Sequence, residues 1–443
     1  MKGWPAGALA AALVAVGAGL GAGVPGVSVP APTPEPAPDI ATVCPGPIGS
    51  ERSTRLAAGG ASGVAPLGRP EAASKAEPGA VSVFGPSVVT GPATHLASVA
   101  GAGAGAQRGV AAASCAPARG TQWLVGLRVS QDASADLLLL NPDAADAAAD
   151  LTLLGPDGPL VTPGGRGLIV SAHGSRSVPL GPLVGGSALP KDAALAVRVE
   201  TSQGRVAAFA VQHAWSGTSP AGVDWIGSAA DPAQTSVVPA VPGGKGERVL
   251  VVTNPNDRIA SVDIGAMSGA GTTSRVGADH LDVPANATRT LVLTSALGGE
   301  AVGLRLNASQ PVTAAVLATN ADSRIPDFAL SAATTALPAQ GSLALADPTT
   351  LWFANPSGSP ATVSVEVGAA GPARIRVAAG ASAGLALRSA GTLRWTTDSD
   401  SVHAAVTIDQ TSGSRVGLGI VGLNAPTRSS GPNVSLDPGA ARG

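Results

Sequence analysis

The segment Leu137-Leu-Leu-Leu-Asn141-Pro142 has two counterparts, Leu250-Val-Val-Thr-Asn254-Pro255 and Leu351-Trp-Phe-Ala-Asn355-Pro356. In each, an apolar run meets an Asn-Pro step. Proline cannot donate to a sheet ladder and asparagine favours turn starts, so each step should end a strand. The asparagines stand 113 and then 101 residues apart. A second shared element follows. Val170 and Val283 each lie 28 residues beyond their proline, within Leu168 to Leu180 and Leu281 to Leu293, and the third version, Ile375 to Leu387, comes sooner. Its form is strand, small polar turn, strand. A third element, Val197-Arg198-Val199, Leu304-Arg305-Leu306 and Leu393-Arg394-Trp395, precedes an alanine pair beginning at Ala207, Ala314 and Ala404. Matched order over three elements makes this a threefold internal repeat.

The repeated segments are short, rich in Val, Leu, Thr and Ala, and bounded by Gly, Pro, Asn and Asp. That pattern predicts an all-β chain: three tandem Ig-like antiparallel β-sandwich repeats, packed together, after an N-terminal signal or anchor segment. Packing is expected because both faces of the strand before Asn-Pro are apolar: Leu138, Val251 and Trp352 point opposite to Leu139, Val252 and Phe353. Trp123, Trp352 and Trp395 fall on these strands and are expected in cores. Only Asp143 to Leu154 is Ala-rich enough to suggest a helix. The expected organisation is 1–24 signal peptide or signal-anchor, 25–43 Pro-rich linker and 44–120 Ala/Gly-rich disulfide-closed region. Repeat 1 follows over 121–217, an inter-repeat segment over 218–246, repeat 2 over 247–336, repeat 3 over 337–424 and a disordered tail over 425–443.

Composition narrows function more than it assigns it. Of 443 residues, 44% are apolar and 13% charged, about half the usual ~25%. A net charge of −2 removes the electrostatic case for nucleic acid, which needs a basic stripe. Lys2 precedes an apolar run from Ala6 to Val24, followed by a Pro-rich stretch to Pro38, which is the pattern of export. Cleavage and retention as an anchor both fit, and contact with a membrane is expected only through this segment. Cys44 and Cys115 are the only cysteines. In an oxidising compartment an even pair reads as one disulfide, with two free thiols as the alternative.

Chemistry-bearing motifs are scarce. There is no Ser nucleophile elbow, zinc helix, P-loop or EF-hand loop. Gly417-Leu-Gly419-Ile-Val-Gly422 spells a dinucleotide-binding turn but runs into Asn424-Ala-Pro426 instead of a helix, so it reads as a glycine-rich terminal strand. The five histidines, His95, His173, His213, His280 and His403, are scattered, and Asp279, His280 and Asp282 form the one compact polar cluster, expected to be a solvated loop. No catalytic, cofactor-binding or metal-ligating set is therefore expected. The remaining candidates are Asp224 and Trp225, in Thr218-Ser-Pro-Ala-Gly-Val-Asp-Trp225. A loop tryptophan beside an acid either plugs an interface or stacks on a sugar ring.

Several of these segments together resemble a known family. Val43-Cys44-Pro45-Gly46-Pro47, Ser114-Cys115-Ala-Pro, Gln122-Trp123-Leu-Val-Gly126, the leucine strand into Asn141-Pro142, the Asp224-Trp225 segment and Val237-Val-Pro239 are similar to an actinobacterial secreted family, catalogued as domain of unknown function 5719. The resemblance spans roughly residues 40 to 424. It implies an exported or membrane-anchored envelope protein of a high-GC Gram-positive bacterium. The family has no established catalytic residues, so no residue roles carry over. The resulting expectation is a non-enzymatic cell-envelope protein, secreted or anchored outside the membrane. It would act as a structural or protein-binding scaffold whose partners are envelope proteins. A cell-wall glycan-binding module is the alternative, and a hydrolase a more distant one.

Overall fold

The computed structural model describes residues 39–49, 53–76, 79–185, 189–190, 193–320, 326–345, 350–368, 371–387, 391–410 and 417–424. The expected signal or anchor and most of the Pro-rich linker lie outside these residues, as does the expected tail. The described chain is nearly all-β, in antiparallel sheets that pair off into sandwiches.

Repeat 1 shows the plan. Apart from the two-residue strand Gly158–Pro159, its eight strands in chain order are Thr121–Leu127, Ala133–Leu140, Ala147–Gly155, Leu168–Val170, Ser175–Pro179, Leu195–Gln203, Ala207–Ser216 and Ser219–Ile226. One sheet holds the first, sixth, third and fourth strands in that order; the other holds the fifth, second, seventh and eighth. Repeat 3 has the same two sheets, from Gln340–Leu345 to Gly417–Gly422. In repeat 2, from Ala233–Val241 to Phe328–Ala332, the sixth and seventh strands fuse into one strand, Val302–Thr319, that crosses from one sheet to the other.

Two expected boundaries change. Residues 218–246 are not an inter-repeat segment: Ser219–Ile226 is the eighth strand of repeat 1 and Ala233–Val241 the first of repeat 2. The Ala-rich stretch 143–154 is not helical either, since Ala147–Gly155 is a strand with alternating burial. There Ala149, Leu151 and Leu153 face the core while Ala148, Asp150 and Thr152 do not. A period of two overrides alanine's helix propensity.

The largest correction concerns the count. The Ala/Gly-rich region folds as a fourth sandwich, here called the leading sandwich. Its strands Ile40–Cys44, Ser53–Ala57, Gly63–Pro66, Ala80–Ser82, Ser87–Gly91, Ser98–Gly103 and Gly109–Ser114 pair as the first, second, third, fifth, sixth, seventh and eighth of the plan. Residues 40–43 thus belong to its first strand, not to a linker. Among the described residues it has no fourth strand; a single bridge, Ser74 to Val64, runs beside the third.

That missing strand explains why the copy is invisible in the sequence. In each of the other three, the fully buried asparagine at the end of the second strand fastens the fourth. The Nδ2 group of Asn254 donates to the carbonyls of Arg258 (2.7 Å), Val283 (3.0 Å) and Pro284 (3.0 Å). Asn141 does the same to Ala145, Val170 and Ser171, and Asn355 to Ser359, Val377 and Ala378. Each Oδ1 accepts the amide two residues on, from Asp143, Asn256 or Ser357. The second and fourth strands lie in opposite sheets, so the amide stitches the sandwich shut. The turn beyond carries a left-handed residue in all three, His173 (φ 51°), Asn286 (φ 51°) and Gly380 (φ 63°). Where no fourth strand exists there is nothing to clamp, and Ala57-Ala58-Gly59 replaces Asn-Pro. The leading sandwich is instead fastened by the Cys44–Cys115 disulfide, from the end of its first strand to the residue after its eighth.

The four sandwiches form a closed ring. The first strand of repeat 1 packs on the second and seventh strands of repeat 2, and that of repeat 2 on those of repeat 3. The first strand of repeat 3 returns to the leading sandwich by pairing parallel with His95–Leu96, Ser342 opposite His95 and Leu343 opposite Leu96. The short strand Ala116–Pro117 then bridges the leading sandwich and repeat 1. Cores interlock accordingly. Val251, Ala315 and Leu317 of repeat 2 join the core of repeat 1. Leu140, Phe209 and Trp225 of repeat 1 join that of the leading sandwich. Leu96 and Val110 of the leading sandwich join that of repeat 3. The second strand is apolar on both faces because one faces its own core and the other the preceding copy.

Candidate functional site

The ring has a polar hub. The eighth strands of all four sandwiches meet at its centre, each packed against two others. Each is a sheet edge with unpaired amides, which need acceptors when buried. Two aspartates supply them. Asp224, 1% exposed, accepts through Oδ1 from the amides of Ala112 (3.0 Å) and Trp225 (2.8 Å). Asp327, also 1% exposed, accepts through Oδ2 from Val110 and Leu418, both at 2.9 Å. Asp224 therefore joins repeat 1 to the leading sandwich, and Asp327 joins repeat 2 to both the leading sandwich and repeat 3.

Room for Asp327 is made by glycine. In strand register it occupies the place of Gly222 in repeat 1 and Gly417 in repeat 3. A Cβ on Gly222 (φ +129°) would lie 2.6 Å from Asp327 Oδ1, and one on Gly109 or Gly417 would also collide with the carboxylate. One acid and three glycines from four sandwiches thus form a single packing unit.

Trp225 is 5% exposed, inside the junction of the leading sandwich and repeat 1. Its ring meets Phe209 edge-on, centroids 6.3 Å apart at 75°. It offers no open face on which a sugar could stack. Of the other tryptophans, Trp123 and Trp395 are buried and Trp352 is half-buried at the junction of repeats 2 and 3. The glycine-rich segment 417–422 is a strand.

The histidines stay apart. His95, 5% exposed, joins Ser342 through Nδ1 (2.8 Å) at the ring closure, and burial together with Arg394 lowers its pKa. His403 donates from Nδ1 to the Thr334 carbonyl (2.9 Å) between repeats 2 and 3, and burial depresses its pKa to about 4. His280 is exposed; its ring nitrogens meet Asp263 (3.1 Å) and Asp282 (3.2 Å), and these hydrogen bonds, Asp263 foremost, raise its pKa. With both nitrogens so occupied, it presents a solvated surface pair.

Two concavities have polar walls. A small one of about 100 Å³ lies at the end of the hub, lined by Ser114, Gln122, Ser228, Thr335 and Asn424 among others, from all four sandwiches. Gln122 is fully engaged there, donating to Val206 and accepting from Ala208 and Ser228. The larger, about 460 Å³, is a groove on the outer sheet of repeat 3, walled by Gln340, Ser342, Ser364, Glu366, Arg394 and Thr396 beside Thr94 of the leading sandwich. Register aligns Ser342, Arg394 and Glu366 in one row and Gln340, Thr396 and Ser364 in the next. Sequence reasoning found Arg394 only as a repeat marker, because the residues facing it come from two other strands and from Thr94 of the leading sandwich.

The model of the Family of unknown function (DUF5719) matches residues 72–388. The match covers well over half of the chain, so the chain belongs to that family. No curated protein matches it.

Proposed function

For this member of a family without an assigned activity, we propose a non-enzymatic role outside the cytoplasmic membrane: a rigid scaffold that binds other envelope proteins. The carrying observation is the closed ring. Four interlocked cores, two buried carboxylates spanning the junctions and a disulfide produce a body with little freedom to open, suited to holding partners in fixed geometry. The disulfide itself favours an oxidising compartment. Among the described residues no helix is long and apolar enough to cross a membrane; attachment, on this reading, is made by the N-terminal segment. A glycan-binding role is the second reading, and burial of Trp225 moves it away from that residue.

The test is affinity capture of the full chain expressed in its native envelope, run beside sedimentation with purified cell wall. Saturable enrichment of defined envelope proteins, lost on reduction and unfolding, supports the scaffold. Sedimentation with protein-free wall and no protein enrichment would replace it with the glycan reading.

A further inference from the structure

The arginine that marks the sixth strand has a fixed role in two repeats and none in the third. In repeat 1, Arg198 lies over the Trp123 ring, 5.6 Å from its centroid, and pairs with Glu200. In repeat 2, Arg305 donates from Nη1 to the Pro356 carbonyl of repeat 3 (3.0 Å). In repeat 3, Arg394 is exposed and has no hydrogen-bond or ion-pair partner among the described residues.

Its register neighbours differ in the same way. Opposite the arginine on the first strand stand Trp123, Val237 and Ser342; opposite it on the third strand stand Thr152, Gly265 and Glu366. The large side chain that covers the arginine in repeat 1 is replaced by a serine, and a carboxylate appears beside it. The third strands of repeats 1 and 2 also run into extra strands, Gly158–Pro159 and Gly271–Thr273, that reach the fifth strand of the following copy. Repeat 3 has no such strand among its described residues. The face that its siblings use for packing is here left open as the groove of about 460 Å³.

We propose that this groove is a carbohydrate-binding site. Its volume falls in the ~300–1,000 Å³ range of small-ligand clefts. A guanidinium that donates only and a carboxylate that accepts only, in register but not paired with each other, suit vicinal hydroxyls, which donate and accept at once. Hydroxyls of Ser364 and Thr396 and the amide of Gln340 extend the set, while Pro372 supplies apolar contact. A peptide added as a further strand is disfavoured, because His95–Leu96 already takes the neighbouring edge of Gln340–Leu345. The proposal stands independently of the scaffold reading.

The experiment is saturation-transfer NMR and calorimetry on the full oxidised chain. The probes are maltotriose, cellotriose, chitotriose and mannotriose, with trialanine as the peptide probe. At least one oligosaccharide should bind with a dissociation constant at or below ~1 mM, weakened at least ~10-fold by both Arg394→Gln and Ser364→Trp. Circular dichroism should show both variants folded; if Ser364→Trp is not, Glu366→Gln takes its place. Failure of all four sugars to bind, binding that survives both variants, or trialanine binding in their stead would each overturn the assignment.

Discussion

Replacing Asn254 with alanine tests the clamp that defines the repeat. The side chain is fully buried and its Nδ2 serves three carbonyls, of which Val283 O is buried and those of Arg258 and Pro284 are partly so. Its Oδ1 accepts the amide of Asn256 at 3.0 Å and the Asn256 side-chain amide at 2.7 Å. Alanine strands these partners where water enters poorly. An orphaned buried group costs ~1–3 kcal/mol, and those nearer the surface recover part of the loss from water, so the expected destabilisation is about 3–5 kcal/mol. Asn254→Asp sharpens the test. It keeps the shape but turns a carboxylate oxygen toward three carbonyls, so at neutral pH it should cost at least as much, and less once the acid is protonated. The assay is urea unfolding of the oxidised chain by far-UV circular dichroism, compared at constant m value. A loss below ~1 kcal/mol for Asn254→Ala would show that the clamp decorates the fold without holding it.

Four further outcomes follow from the same geometry. His403 is held neutral with its pKa near 4, below the unfolded value of 6.5, so the unfolded chain binds more protons between these limits. Stability should be full above pH 6.5 and fall by about 3 kcal/mol as pH drops toward 4; thermal unfolding of His403→Gln should show a smaller pH-dependent drop. Gly222→Ala places a Cβ 2.6 Å from Asp327 Oδ1 at φ +129°, and should cost more than ~2 kcal/mol in denaturant unfolding. Reducing the Cys44–Cys115 disulfide, 71 residues apart, should cost on the order of 4 kcal/mol, read as a lowered unfolding midpoint with dithiothreitol. Trp225→Ala empties the junction of the leading sandwich and repeat 1 and should cost ~3–5 kcal/mol in the same assay.

Much of the architecture was legible because it rests on local chemistry. Asn-Pro announces the end of the second strand, and the constant spacing to Val170 and Val283 reflects the hydrogen bonds that join the same two sites in space. The apolar residues on both faces of Leu137–Leu140 announce a neighbour. The leading sandwich escaped detection because the clamp and the fourth strand are lost together, leaving small residues without a marker. Residues 218–246 read as a loop because of their Gly, Pro and Ser, while tertiary pairing makes strands of Ser219–Ile226 and Ala233–Val241. Asp224 carries no local sign of its role: the amide it takes from the neighbouring sandwich, that of Ala112, is 112 residues away. The same holds for Arg394, whose openness depends on what its register neighbours lack.

Ring closure also bears on how such a protein can change over generations. An open array of tandem units can gain or lose one at either end, because each touches only its neighbours. Here the contacts are head-to-tail and return to their starting point, a geometry that fixes how many members fit. A fifth sandwich would have no seat between repeat 3 and His95–Leu96, and losing one would leave an apolar second-strand face exposed to water. Copy number is therefore frozen, and the room left for variation is the outer sheets. Repeat 3 has already diverged there from its siblings.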